Sequence, residues 1–327
     1  MTRDIVFVGT GSGWGATNMG TGKGPQILLN NAEPYSNSPQ PFSSLSPHPI
    51  VLENFHNFDD LTPYFPFDTD GKITRQKNLL KALGHHFEAI FGVLQRGLVP
   101  FSIGGDHSLA IATWAAVKQH YSDFGLIWID AHLDAHTPET TPSHAAHGMP
   151  AASLLGYAAP EFKELMGEER IILPENLVYI GARSFEEEEH ALLKELGVKI
   201  YCMDEVKARG FSSVFNEAKA HVTRNTPSYG ISLDIDAFDP LEVPGTGAKV
   251  AEGLIETDVI PSLLGLIDDP HLICFEMMEF NPDLDEENRT LAFLWRVTKI
   301  LLGETNGDES IQDRPFFSAN SSRGGWA

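Results

Sequence analysis

Short, nearly unbroken apolar runs recur along this chain, separated by stretches with helical periodicity. Seven stand out: DIVFVG (4–9), LVPFSIGG (98–105), GLIWID (125–130), NLVYIG (176–181), VKIYCMD (198–204), YGISLDID (229–236) and HLICFEMME (271–279). Runs of this length, rich in β-branched and aromatic residues, read as strands. They are apolar at successive positions rather than alternate ones, which suits strands covered on both faces. Between them, TRQKNLLKALGHHFEAIFGVLQRG (74–97) spaces Leu79, Leu80, Leu83, Phe87, Ile90, Phe91 and Leu94 near a 3.6-residue repeat. SLAIATWAAVKQHY (108–121) and RTLAFLWRVTKILLG (289–303) read the same way. Strands alternating with helices predict an α/β fold, a three-layer α/β/α arrangement around a central parallel sheet.

No linker or internal repeat divides the core, so residues 1–303 are expected to form a single domain. Residues 31–72, rich in Pro, Ser, Asn and Asp, read as an irregular excursion after the first helix. Residues 304–327 read as a polar C-terminal tail outside the core, with Phe316, Phe317 and Trp326 able to dock. The formal net charge of −22 argues against a nucleic-acid or anionic-membrane partner, both of which favour basic surfaces. The two cysteines, Cys202 and Cys274, lie apart in apolar runs and suggest neither a disulfide framework nor a structural zinc site. Without a signal-peptide core or a run of roughly 20 apolar residues, the expected location is the cytoplasm.

The polar exceptions in this apolar pattern fall at strand ends, where open α/β sheets place their ligand sites. SIGGDHS (102–108) contains His107. IDAHLDAH (129–136) contains Asp130, His132 and Asp134 at spacing two, which an extended backbone aims to one side. SLDIDAFDP (232–240) repeats the spacing with Asp234 and Asp236, and FEMMEFNP (275–282) contains Glu279. Each motif has a plainer reading. GGDHS can be a turn into a helix with Asp106 or Ser108 as its cap, and the others can be solvated loop or strand ends. Together they favour metal, because an unpaired buried carboxylate is very costly and bound cations offset that cost. Imidazole and carboxylate without thiolate suit Mn²⁺, Fe²⁺, Co²⁺ or Zn²⁺, and the carboxylate-rich set leans towards Mn²⁺. Four Asp and two His exceed the needs of one ion, so two ions roughly 3.5–4 Å apart are the natural extension.

GGDHS, DAHLDAH and SLDIDAFDP, with GTGKGP (20–25), GAR (181–183) and MEFNP (278–282), resemble the ureohydrolases: arginase, agmatinase and formiminoglutamase. The resemblance runs from the first strand to about residue 303. It implies a parallel sheet of about eight strands, a homo-trimer or homo-hexamer, and two Mn²⁺ ions per chain. The implied metal ligands are His107, Asp130, His132, Asp134, Asp234 and Asp236. The implied reaction is attack of a metal-bridging hydroxide on the guanidinium carbon of a cationic substrate. Asp134 accepts a hydrogen bond from the hydroxide, Glu279 holds the guanidinium, and His147 gives a proton to the leaving amine.

Within the family, the loop HTPETTPSHAAHG (136–148) resembles arginase in length, and Ser143 matches the arginase serine near the substrate carboxylate. The resemblance therefore implies conversion of L-arginine to L-ornithine and urea, with His136, Ser143 and Glu186 around the amino-acid head. The chain departs from the arginase pattern at His136 and Ala145, where arginase carries Asn, at Ser184 and Glu186, where it carries Asp, and at Ala248, where it carries Thr. These departures leave agmatinase, a guanidino-acid hydrolase and formiminoglutamase as alternatives. A non-catalytic metal-binding scaffold and a single-zinc deacylase of the same architecture are the remaining classes. His144 reads as a solvated loop residue, and Glu187, Glu188 and Glu189 as an exposed helix start favoured by the helix dipole.

Overall fold

The computed structural model describes residues 5–30, 50–53, 69–266 and 268–301. In chain order the strands are β1 Ile5–Thr10, β2 Ile50–Glu53, β3 Val99–Ile103, β4 Gly125–Ile129, β5 Leu177–Ala182, β6 Lys199–Cys202, β7 Tyr229–Asp234 and β8 Leu272–Met278. They form one 8-stranded sheet in the order β2-β1-β3-β8-β7-β4-β5-β6. Every pairing is parallel. β1, β3, β4, β5, β7 and β8 are buried at every position, as their unbroken hydrophobicity requires.

The α-helices of seven residues or more are α1 Gly24–Asn30, α2 Thr69–Gln95, α3 Ala110–His120, α4 Pro160–Met166, α5 Glu187–Leu196, α6 Met203–Arg209, α7 Phe211–Val222, α8 Glu256–Leu263 and α9 Arg289–Leu301. They cover the sheet in two layers with separate apolar cores. Leu28 of α1, Val206 of α6, Phe215 of α7, Leu263 of α8 and Phe293 of α9 pack in one. Leu83 of α2, Trp114 of α3, Phe162 of α4 and Leu193 of α5 pack in the other. The three-layer arrangement read from the sequence is therefore the one observed.

Two boundaries differ from the sequence reading. Within the stretch read as irregular, Ile50–Glu53 forms edge strand β2 beside β1. Four residues inside a Pro- and Ser-rich segment give too short a run to stand out. α2 begins at Thr69, five residues before the periodic pattern, because its polar first turn carries no apolar repeat. The rest of the 31–72 excursion and the whole 304–327 tail lie outside the described residues. No helix among the described residues is long and apolar enough to cross a membrane.

The sheet order is what builds a site. β3, β8, β7 and β4 are neighbours in space, although more than a hundred residues separate β4 from β8 in sequence. Their carboxyl ends carry, across the sheet, His107, Glu279, Asp234 with Asp236, and Asp130.

Candidate metal centre

Each ligand-bearing segment is fixed by its own backbone before any ion is considered. After β3, Asp106 caps the following helical turn by accepting from Ser108 N at 3.0 Å, and it also accepts from Gly15 N at 2.9 Å. The capping reading and the ligand reading of GGDHS thus hold together, because the cap on Asp106 aims His107 inward. Gly15 must be glycine, since a Cβ there would meet the Asp106 carboxylate and the Ser108 hydroxyl. Beyond β4, Asp130 accepts from His132 N at 2.7 Å and from Trp128 Nε1 at 2.9 Å. Asp234 accepts from Asp236 N at 2.8 Å, and Asp236 accepts from Ala131 N at 3.2 Å. For both residues the tied oxygen is Oδ1, which leaves Oδ2 facing the cluster.

The oxygens that face the cluster converge. His107 Nδ1 lies 3.0 Å from Asp134 Oδ2, 3.0 Å from Asp234 Oδ2 and 3.3 Å from Asp130 Oδ2. His132 Nδ1 lies 3.0 Å from Asp236 Oδ2 and 3.6 Å from Asp130 Oδ1. The six residues therefore form two adjoining groups that share Asp130: His107, Asp130, Asp134 and Asp234, and Asp130, His132 and Asp236. The alternation expected of an extended backbone does not carry through Asp130, His132 and Asp134. The chain leaves the strand after Ile129, Asp134 takes a left-handed φ of 47°, and His132 faces the second group.

Burial and charge say what the groups lack. Burial and the neighbouring Asp130 carboxylate push Asp134 above the usual carboxylate range and Asp236 up to about 6, and burial with Asp236 and Asp130 pushes Asp234 well above it. Burial alone lowers an imidazole pKa, yet Asp236 and Asp130 overcome it and raise His132 to about 12. Asp130, Asp134 and Asp234 likewise raise His107 well above its usual value against strong desolvation. Asp134, Asp234 and Asp236, crowded out of water, hold protons because they are short of positive charge, whereas at Asp130 burial is outweighed by His107 and His132, which hold it below the usual carboxylate range. His107 Nδ1 is itself buried without a hydrogen-bond partner, amid three carboxylate oxygens. A buried imidazole nitrogen without a hydrogen-bond partner amid carboxylates that outnumber the histidines, with no thiolate among them, fits hard or borderline divalent cations.

The cluster opens into a cavity of ≈ 240 Å³ lined by His132, Asp134, His136, Ser143, His147, Glu186, Glu189, Asp234, Asp236, Ala248 and Glu279, among others. Glu279 is 6% exposed and sits at a φ of 70°, accepting from His107 N at 2.9 Å. Its Oε1 lies 3.2 Å from His147 Nδ1. Burial tends to raise the Glu279 pKa, but His147 and the His107 N–H hold it below the usual range. The same pairing overcomes burial at His147 and raises it to about 9. His147 N also donates to Gly15 O at 3.2 Å, so the segment capped by Asp106 braces both residues.

The outer wall is built differently. His136 is buried, with Nε2 3.2 Å from Glu186 Oε2 and Nδ1 3.1 Å from Thr140 Oγ1. Ser143 and His144 are exposed, and the Ser143 hydroxyl accepts from Ala145 N at 3.2 Å. Glu187 and Glu188 are exposed as expected, but Glu189 is not. It is 3% exposed, completes a capping box with Glu186 at the start of α5, and accepts from Ala135 N at 3.0 Å. Burial and the adjacent Glu186 raise its pKa to about 8. The E-x-x-E spacing was the available signal, since a capping box turns its third-position side chain back toward the N-cap. Arg183, which the sequence reading quoted within GAR but gave no role, donates its guanidinium to the carbonyls of Asp236, Ala237 and Val250, fixing the loop that carries Asp236.

Two adjoining imidazole–carboxylate groups at the strand ends of a parallel sheet, beside a buried carboxylate–histidine pair, define an α/β protein laid out for two metal ions. The sequence profile of the arginase family matches residues 3–302, and the chain belongs to that family. It is thus a hydrolase of C–N bonds in linear amidines. It is 38% identical to the arginase of Bacillus caldovelox over 235 residues, 72% of this chain and 79% of that one. With the arginase of Bacillus subtilis (strain 168) it shares 32% identity over 309 residues, 93% of this chain and 99% of the relative. The native crystal structure of the B. caldovelox arginase superposes with a TM-score of 0.78 at 32% identity, covering 92% of this chain and 98% of that one.

Proposed function

We propose that the chain hydrolyses the guanidinium group of L-arginine to urea and L-ornithine, using two Mn²⁺ ions held by His107, Asp130, His132, Asp134, Asp234 and Asp236. The observation that carries the reading is the pair of groups sharing Asp130, open to a cavity that also holds Glu279 and His147. Bound there, the two ions supply Lewis acidity and a water that ionises near neutral pH.

The remaining chemistry belongs to the chain's own side chains. Glu279, kept ionised by His147 and by the His107 N–H, pairs with the planar guanidinium and sets its carbon toward the cluster. Asp134 accepts a hydrogen bond from the attacking water and orients its lone pair. His147, protonated at neutral pH through its pairing with Glu279, donates a proton to the leaving nitrogen as the C–N bond breaks. Water adds to the carbon, the amine leaves with the proton, and urea remains.

Toward the mouth, His136, Ser143 and Glu186 line the same cavity, which supports their meeting the amino-acid head. Among the described residues that line the cavity there is no Lys or Arg, so this wall favours the ammonium of that head over its carboxylate. The same observation supports a second reading, in which the substrate is a linear guanidino compound without a carboxylate. The acidic charge of the chain and its family support a cytoplasmic homo-trimer or homo-hexamer with no nucleic-acid or membrane partner. The family match to residue 302 supports a single catalytic domain followed by a polar tail.

The test is urea release by metal-stripped, Mn²⁺-reloaded protein from arginine, agmatine, guanidinobutyrate, guanidinopropionate and guanidine, with formamide release from formiminoglutamate in parallel. Highest kcat/KM on arginine is expected. Highest kcat/KM on agmatine would replace the first reading with the second, and no product from any compound would sink both.

A further inference from the structure

β3, β8, β7 and β4 carry a second row of polar and aromatic side chains one layer below the ligands. In the parallel register, Ser102 pairs with Glu276, Glu276 with Ser232, and Ser232 with Trp128. Ser232 and Trp128 each lie two residues before a ligand, Asp234 and Asp130, and therefore on the same face of the strand. Ser102, Glu276, Ser232 and Trp128 are all fully buried. A glutamate at the centre of the sheet, without a salt-bridge partner among the described residues, calls for an explanation, because such burial is costly.

Its hydrogen bonds supply one. Glu276 Oε1 accepts from Trp114 Nε1 at 2.6 Å and lies 2.6 Å from Ser232 Oγ, which lies 2.9 Å from His107 Nε2. The direction of this chain follows from one fact of side-chain chemistry, that an indole N–H only donates. Glu276 Oε1 must accept from Trp114, so it also accepts from Ser232, whether the carboxyl is charged or holds a proton on the unpartnered Oε2. With its proton committed to Glu276, the Ser232 oxygen can only accept, and His107 Nε2 must carry a hydrogen. In the neutral imidazole, the form that binds an ion, Nδ1 is then the nitrogen with the lone pair, and it is Nδ1 that faces Asp130, Asp134 and Asp234. Trp128 stacks on the His107 ring at 4.4 Å between centroids and 17° between planes, which fixes the remaining rotation.

We propose that Ser232 and Glu276 are positioning residues for metal binding: Glu276, aligned by Trp114, holds Ser232 as the acceptor for His107 Nε2–H and so presents the Nδ1 lone pair to the ion. The proposal rests on the metal reading above. It assigns to the interior of β7 and β8 the orienting role that outer hydrogen-bond partners play at metal-bound histidines. Of the two adjoining groups it concerns only the one that contains His107.

The experiment titrates Mn²⁺ into metal-stripped protein by competition with a chelator, without substrate, and compares wild type with S232A, E276Q and the double variant. Wild type is expected to bind two ions. S232A weakens one of them about 10- to 100-fold, the range for loss of an outer partner, and leaves the other within about twofold. E276Q keeps an acceptor for Trp114 and Ser232 but loses the charge, and weakens the same ion by less. Because Glu276 acts through Ser232, the double variant binds no more weakly than S232A alone. S102A, in the same row but bonded to His86 rather than to this chain, binds like wild type. Thermal melts of the metal-free variants confirm that each is folded. Failure of wild type to bind Mn²⁺ would overturn the metal reading itself. Two ions bound with S232A unchanged, with both ions equally weakened, or with additive losses in the double variant would overturn this proposal alone.

Discussion

The floor and the mouth of the cavity hold the same kinds of residue under opposite rules. On the floor, His107, Asp130, Asp234 and Asp236 are nearly inaccessible, and each of these Asp residues has an oxygen tied to a backbone N–H. At the mouth, Ser143, His144 and Glu186 are exposed on loops, and the bonds of 136–143 run mostly within the loop itself. The difference separates what the sheet determines from what the loops determine. Floor residues lie at the ends of strands whose register moves them together. Mouth residues can be exchanged without disturbing β3, β8, β7 or β4, and the departures from the arginase pattern at 136, 145, 184, 186 and 248 all lie off those strands.

The comparison is tested hardest at Asp130, the residue common to both groups. Asp130→Asn is expected to weaken both ions and to lower urea release at least about 10³-fold, several kcal/mol of lost charge stabilisation. Metal content and turnover measured on one preparation check it. Full activity with two tightly bound ions would mean that the floor does not do the chemistry.

Next in size is His147, which belongs to the floor by its Glu279 partner and to the mouth by its loop. His147→Asn is expected to lower kcat by about 10²–10⁴-fold, the usual worth of a positioned proton donor. The pH profile carries the sign. A group that donates must be protonated, so wild-type kcat falls as pH rises through about 9, the raised value of His147. In the variant that alkaline fall is absent. An unchanged alkaline limb would assign the proton to another group.

Smaller effects belong to the mouth. His136→Ala and Glu186→Gln are each expected to raise KM about tenfold, near 1.4 kcal/mol, while kcat stays within about twofold, because contacts to the distal head are uniform binding. A fall in kcat with KM unchanged would place these residues on the floor's side of the comparison.

The floor was far more legible in the sequence than its supports. Aspartates two apart at the ends of apolar runs announce themselves, and the structure brings all six candidate ligands into two adjoining groups. Ser232, Glu276 and Trp114 gave no such signal. Each is a single residue inside a strand or helix, and the partners are 44 and 162 residues apart in sequence. Pattern reading detects repetition along one element, whereas these contacts exist only after β8 inserts between β3 and β7. Glu189 was misread for a related reason, since helix-start chemistry predicts where a carboxylate is favoured but not whether a neighbouring loop will close over it. The edge strand β2 was lost because its apolar run, Ile50–Glu53, is too short to stand out in a Pro- and Ser-rich segment.

The last prediction asks whether burial alone makes the floor unusual. His86 is as buried as His107, but its ring meets hydroxyls instead of carboxylates: Thr10 Oγ1 at 2.8 Å, Thr113 Oγ1 at 2.9 Å and Ser102 Oγ at 3.3 Å. With nothing to offset desolvation, its pKa falls to about 3. The folded state therefore keeps His86 neutral while the unfolded chain takes up a proton below about 6.5. That contribution to stability is complete above pH 6.5 and is lost as pH falls from there toward 3. His86→Gln keeps a hydrogen-bonding side chain that cannot titrate. Between pH 7 and pH 5 wild type is expected to lose ~2 kcal/mol more than the variant, read as the difference in urea-unfolding free energy of metal-free protein, with turnover of the Mn²⁺-loaded variant close to wild type. Parallel stability curves for the two proteins would mean that His86 is not held neutral, and that burial and carboxylate contact cannot be separated as the contrast with His107 requires.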